Sequence, residues 1–140
     1  MFLDSSHMKV NYLIERAMDA AMIRHQVISD NIANVDTPGF KRSQVTFEAQ
    51  LKRALESEEE EKKSPPAYLT NKKHIQFFKP IDYRTVQPKI DVDYDTNYRN
   101  DKNNVDIEKE TTDAIINTLR YRALTMRLSQ NYRNLLNIMQ

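Results

Sequence analysis

Cysteine is absent from the 140 residues, which excludes disulfide staples, thiolate nucleophiles and sulfur-ligated metals. Glycine occurs once, at position 39, so a phosphate cradle of the GxGxxG or P-loop kind cannot be built; such loops need several positions without a side chain where backbone amides approach the anion. An excess of one charge is also lacking. Lysine and arginine number 21 against 20 acidic residues, and the resulting net charge of +1 leaves no footprint for nucleic acid. No stretch reaches the roughly 18 consecutive apolar residues of a membrane-spanning helix. At the N-terminus Asp4, His7, Lys9, Asn11, Glu15 and Arg16 break up every apolar run that a secretory signal needs. His7, His25 and His74 form no HxxxH or HExxH spacing, the carboxylates sit in charged, wet stretches, and no serine lies in a GxSxG elbow. The reading is therefore of a chain without catalytic site, cofactor or metal, of a length that fits one domain over 1–140.

What the sequence does carry is concentrated at its two ends. Residues 8–34 contain neither proline nor glycine, and Val10, Leu13, Ile14, Ala17, Ala20, Ala21, Val27 and Ile28 fall on one broad helical stripe. Arg24 and Asn31 interrupt it, either as polar side chains at its edge or as contacts that set the register of a packed seam. Pro38 ends the helix, because proline disfavours helical backbone at the preceding residue and cannot donate into the ladder. Thr37-Pro38-Gly39-Phe40 then reads as a type II turn with the sole glycine at the position that requires positive φ, inside a turn and extended segment over 35–46.

The stretch 47–103 is expected to be irregular, with short elements. Phe47, Leu51, Ala54 and Leu55 suggest a short amphipathic helix, and the acidic run within 56–66 reads as a solvated loop with nothing to bury. Ile90, Val92 and Tyr94 alternate with Asp91 and Asp93 in the period of a half-buried strand. His74, Phe77, Phe78, Lys79, Tyr83 and Arg84 mimic a nucleic-acid platform, but Asp82, Asp91, Asp93 and Asp95 repel phosphate.

The final helix is expected over 104–139, where Asn104, Asp106 and their polar neighbours cap free amides and Glu108 and Glu110 suit the positive end of the helix dipole. Ile107, Thr111, Ala114, Thr118, Tyr121, Thr125, Leu128, Tyr132, Leu135 and Met139 keep a strict 4-3 alternation, the period of a coiled coil. Ile115, Leu119, Met126 and Leu136 widen the stripe. The fold expected is mainly α: long N- and C-terminal helices packed as an antiparallel coiled-coil-like hairpin around a small irregular, β-containing middle. Alanine and threonine occupy many seam positions where a self-sufficient coiled coil would place leucine or isoleucine, so neighbouring subunits are expected to complete the burial.

The block Asn31-Ile32-Ala33-Asn34-Val35-Asp36-Thr37-Pro38-Gly39-Phe40-Lys41-Arg42 resembles the signature of flagellar basal-body rod and hook proteins. The second block, Asn103-Asn104-Val105-Asp106-Ile107-Glu108-Lys109-Glu110 followed by Asn117–Thr125, resembles the proximal-rod branch of that family. One departure is Lys102, where members commonly have glycine, and it leaves the turn geometry there open. The resemblance implies a structural subunit without enzymatic activity that assembles helically with copies of itself and other rod proteins to transmit torque. It implies delivery through the flagellar export apparatus without a cleavable signal peptide, contact with the basal-body base, and residence in the periplasm-spanning rod without binding nucleic acid or spanning a membrane. It also marks Asn31, Asn34, Thr37, Pro38, Gly39 and Phe40 as assembly positions; the second block puts Asn104, Val105, Asp106 and Glu108 at the start of the last helix, and the 4-3 period puts Ile107, Ala114, Tyr121, Leu128, Tyr132, Leu135 and Met139 along its seam. The asparagines are expected to satisfy backbone groups where the first helix ends, and Phe40 to anchor the turn. A soluble helical-hairpin adaptor or export chaperone that binds a partner helix is the competing reading.

Overall fold

A computed structural model describes residues 6–63, 80–94 and 100–139. The elements run α1 (Ser6–Ala33), β1 (Ser43–Thr46), α2 (Glu48–Lys63), a 3-10 turn at Tyr83–Thr85, β2 (Lys89–Val92) and α3 (Ile107–Met139). Residues 1–45 together with 90–140 form one compact unit, and 46–89 form a second. Expected positions at 64–79 and 95–99, His74, Phe77 and Phe78 among them, lie outside the described residues.

In the first unit α1 and α3 pack as an antiparallel hairpin. Contacts at Asn31 with Glu110, Ala21 with Asn117 and Asn11 with Asn131 descend along one helix while they ascend along the other. The 28 residues of α1 span about 42 Å. Its buried side is Asn11, Ile14, Ala20, Ala21, Val27, Ile28 and Asn31, the stripe that the sequence marks. Two alanines at its centre let the helices approach closely, and Asn31 is wholly buried rather than at the edge.

On α3 the period is as expected, but its phase differs. Ala114, Tyr121, Leu128 and Leu135 lie half-buried on the side of α1, whereas Ile107, Tyr132 and Met139 are exposed, as are Thr111, Thr118 and Thr125. The second row of the packed side is Glu110, Asn117, Leu124 and Asn131, again at 4-3 spacing. Polar partners decide the phase. Glu110 meets Asn31, Asn117 donates to the Ala21 carbonyl at 2.8 Å, and Asn131 donates to Asn11 at 2.7 Å. A ranking by apolarity alone finds Ala114, Tyr121, Leu128 and Leu135 but not the polar row beside them, because buried polar groups tolerate the interior when hydrogen-bonded. The helix also begins later than expected, at Ile107, with Asn104 and Val105 buried in the segment before it.

β1 and β2 pair into a two-stranded sheet. The Asp93 amide donates to the Arg42 carbonyl at 2.9 Å, and the Thr46 hydroxyl to the Lys89 carbonyl at 3.4 Å, which makes the ladder antiparallel. Val45 is buried, but the alternation expected of β2 is inverted: Ile90, Val92 and Tyr94 are exposed while Asp91 is half-buried. A two-stranded ribbon shields only one of its faces, and here the aspartates lie on it.

In the second unit Phe47, Ala54 and Val86 are buried. The acidic stretch is helical up to Lys63 rather than a loop. Glutamate and lysine are good helix formers, Glu58 with Lys62 at 2.9 Å and Glu59 with Lys63 at 4.0 Å form i,i+4 pairs in the favourable order, and the lysines close the negative end of the dipole. Ser57 adds a tertiary anchor, since its hydroxyl donates to the Ala54 carbonyl at 2.7 Å and accepts from the Ile81 amide at 3.0 Å.

Candidate functional site

The residues of both sequence blocks converge at one end of the α1/α3 hairpin. There α1 stops in a series of tight bonds, Asn34 to the Asp30 carbonyl and Val35 to that of Ile32, each at 3.2 Å. The Asn34 side chain donates to the same Asp30 carbonyl at 2.8 Å, so it satisfies an acceptor that the ending helix leaves open. The Phe40 amide donates to the Thr37 carbonyl at 3.3 Å and Gly39 has φ +74°, the closure and the left-handed backbone of a type II turn. Thr37, Pro38 and Gly39 are exposed and Phe40 is half-buried.

The turn is fastened to the segment before α3. The Gly39 amide donates to the Asp101 carbonyl at 2.9 Å. Asn103, wholly buried, shares its side-chain amide protons among the carbonyls of Asn34, Val35 and Thr37 at 2.9–3.1 Å, and its own side-chain oxygen accepts from the Val105 amide at 2.8 Å. Lys102, immediately before it, has φ +65°, which gives the glycine departure a structural meaning: the backbone there is left-handed and the lysine adopts it. Asp106 then caps α3, its carboxylate accepting from the amides of Glu108 at 3.0 Å and Lys109 at 3.3 Å.

Asn31 joins α1 to β1 by imitating a strand neighbour. Its side-chain oxygen accepts from the Ser43 amide at 3.0 Å and its amide donates to the Ser43 carbonyl at 2.8 Å. The same amide also donates to Glu110 at 3.0 Å, and the Arg42 Nε donates to the other oxygen of that carboxylate. Glu110 is wholly buried, and the Arg42 Nη2 reaches on to Asp113 at 3.4 Å. The Arg42 amide donates to the Asn104 side chain at 2.7 Å, and Asn104 donates to the Asp93 carbonyl at 2.9 Å. Both carboxylate oxygens of Glu110 thus have donors, the condition under which a buried charge is tolerated.

The expected motif residues are therefore brought together, with different tasks from those expected. Asn34 does serve the helix end, whereas Asn31 serves the strand; Glu110, expected only as a partner of the helix dipole, is instead the buried joint of the node, and Arg42 and Asn103 join it without any such expectation. The types of Arg42 and Asn103 alone carried no signal, because their partners come from other elements of the fold. Asn117 differs from the others in that its side-chain oxygen is buried without a donor. At the far end of the hairpin the Tyr132 hydroxyl donates to Glu15 at 3.0 Å, and that hydrogen bond, more than the charge, raises the phenol above its usual range. Among the described residues no group of three His, Asp or Glu converges as a metal site requires, and no helix is long and apolar enough to cross a membrane. The node holds elements together; it offers no nucleophile beside a base.

A model of the flagella basal body rod protein family matches residues 12–41, the span that includes Asn31 and the turn. The flagellar basal body rod protein FlgB of Borrelia hermsii is 44% identical over 113 residues, covering 81% of this chain and 82% of the relative. FlgB of Borreliella burgdorferi is 38% identical over 110 residues, 79% and 80% of the two chains. FlgB of Bacillus subtilis is 31% identical over 122 residues, 87% and 86%.

Proposed function

The chain belongs to the FlgB family of flagellar basal body rod proteins and is a structural component of that rod, and from this premise we propose that copies assemble helically through α1 and α3 to form the proximal rod and transmit torque. The observation that carries the proposal is the incomplete covering of α3. Of its 33 residues only Glu110 and Asn117 are fully buried, while Ile115, Leu119, Met126, Leu136, Ile138 and Met139 are exposed. A row of large apolar side chains in water is a surface that association covers.

The polar node has the complementary role. Asn31, Arg42, Asn103 and Glu110 hold the ends of both helices in one geometry, so that Thr37, Pro38, Gly39 and Phe40 are presented as a rigid contact and the helices beyond it enter the assembly in register. Delivery through the flagellar export apparatus and contact with the basal-body base belong to the same proposal. A hairpin whose α3 is fully buried only at Glu110 and Asn117 and half covered beyond can be delivered loosely folded and completed on assembly. A strain lacking this gene should be non-motile and yield basal bodies without a rod, both restored by the wild-type copy. Intact rods in the deletion strain would refute the proposal.

A further inference from the structure

α3 carries a second row at 4-3 spacing on the side away from α1: Ile115, Leu119, Arg122, Met126, Arg133 and Leu136, with Ser129 between the last arginine and the methionine. Leu119 is 58% exposed and Met126 67%. An open groove of about 670 Å³ follows this row past Arg122, Thr125, Met126, Ser129 and Arg133. From Ala114 to Met139 the chain has four arginines, at 120, 122, 127 and 133, and no acidic residue. The row therefore suits a helix that offers apolar and acidic groups at the same period.

This chain has such a helix. One flank of α1 presents Tyr12, Glu15, Asp19, Met22 and Gln26 at 4-3 spacing, with Tyr12 half-buried, the other four exposed and Met22 at 57%. We propose that the outward row of α3 receives this flank of α1 from a second copy, antiparallel, with Met22 against Met126 and Glu15 against Arg133. Met22 and Glu15 are as far apart in sequence as Arg133 and Met126, so one antiparallel register satisfies both layers and brings Tyr12 to Leu136. The contact rests on the rod-subunit reading and names its partner surface.

The α3 row faces away from α1, and Glu15 and Met22, which flank the seam, meet α3 only on its other side beside Tyr132 and Tyr121, so one chain cannot satisfy itself. Every copy keeps one face of each kind after binding, and repetition gives an open series rather than a closed pair. Glu15 and Asp19 already have intrachain partners, Tyr132 at 3.0 Å and Arg16 at 3.6 Å. Those are exposed pairs, weak enough to exchange or to share. The methionines supply the adaptable apolar layer, and the charges fix register more than affinity.

The absence of cysteine makes a clean test available. Met22→Cys and a tagged Met126→Cys, both at exposed positions, are mixed and oxidised in solution, and are also co-expressed in cells that assemble rods. Expected is a cross-linked heterodimer in excess of any homodimer, lost when Arg133→Glu is added to one copy and restored by Glu15→Arg on the other. Lys52→Cys, exposed on α2, serves as the control partner for Met126→Cys. Equal yield with the control, dominant homodimers, or no heterodimer in cells whose rods form normally would overturn the contact. Failure of the wild-type chain to support any rod would remove the rod reading instead, and the solution cross-link would then decide the contact alone.

Discussion

Asn103 donates from one side-chain amide to the carbonyls of Asn34, Val35 and Thr37, and accepts from the Val105 amide, all within a wholly buried site. Asn103→Ala leaves these groups without partners and should lower unfolding free energy by about 1–3 kcal/mol in urea denaturation. Asn103→Asp should be worse than alanine, since a carboxylate then faces three carbonyl oxygens; equal stability of the two variants would contradict the assigned bonds. Gly39 and Lys102 form a matched pair of tests. A Cβ at Gly39 meets no atom within 4 Å, so Gly39→Val is penalised by backbone conformation alone, on the order of 1–3 kcal/mol, with impaired motility. Normal rod assembly by that variant would count against the turn. Lys102 already has φ +65°, and Lys102→Gly should raise stability by about 0.5–1 kcal/mol, a gain checked by the urea midpoint.

Between elements, the decisive link is the Arg42–Glu110 pair, which ties the residue before β1 to the first turn of α3. Arg42→Met strands a carboxylate that is 0% exposed and should cost about 3–5 kcal/mol. Adding Glu110→Gln removes the stranded charge and keeps a group that can still accept from Asn31, so the double variant should recover a large part of the loss. A double-mutant cycle measures this, and strict additivity of the two changes would show that the pair is not coupled. The same logic explains α2. Its acidic half lacks a hydrophobic stripe, yet helix formation there needs none, because side-chain pairs along the surface and the Ser57 anchor serve in its place.

For the molecule as an assembly component, burial is uneven along the hairpin. α3 has fully buried residues at Glu110 and Asn117 and none among the described residues beyond, where the packed row is only half covered. Native-state hydrogen exchange of the isolated chain should therefore show strong protection from 103 to 117 and fast exchange from 118 to 139, with the latter slowed on association. Uniform protection along α3 would mean that the hairpin is complete without neighbours.

The two long terminal helices, the stopping point of α1 and the turn at Gly39 were legible in the sequence, because each depends on local terms: an unbroken apolar stripe, a proline, and the one residue suited to positive φ. The period of α3 was equally legible. Its phase was not, since Thr118 bonds the Ala114 carbonyl of its own helix while Asn117 reaches across the seam, and that depends on the position of Ala21 in another helix. The site divided in the same way. Asn31 and Asn34 stood out as types, but whether an asparagine serves a helix end or a strand edge is fixed by what lies within 3 Å of it, and Asn31 meets Ser43 only after the chain has turned back. Periodicity and backbone preference act between neighbours in sequence and so can be read there; a buried polar group is tolerated only where distant atoms complete its hydrogen bonds, and those the folded chain alone brings together.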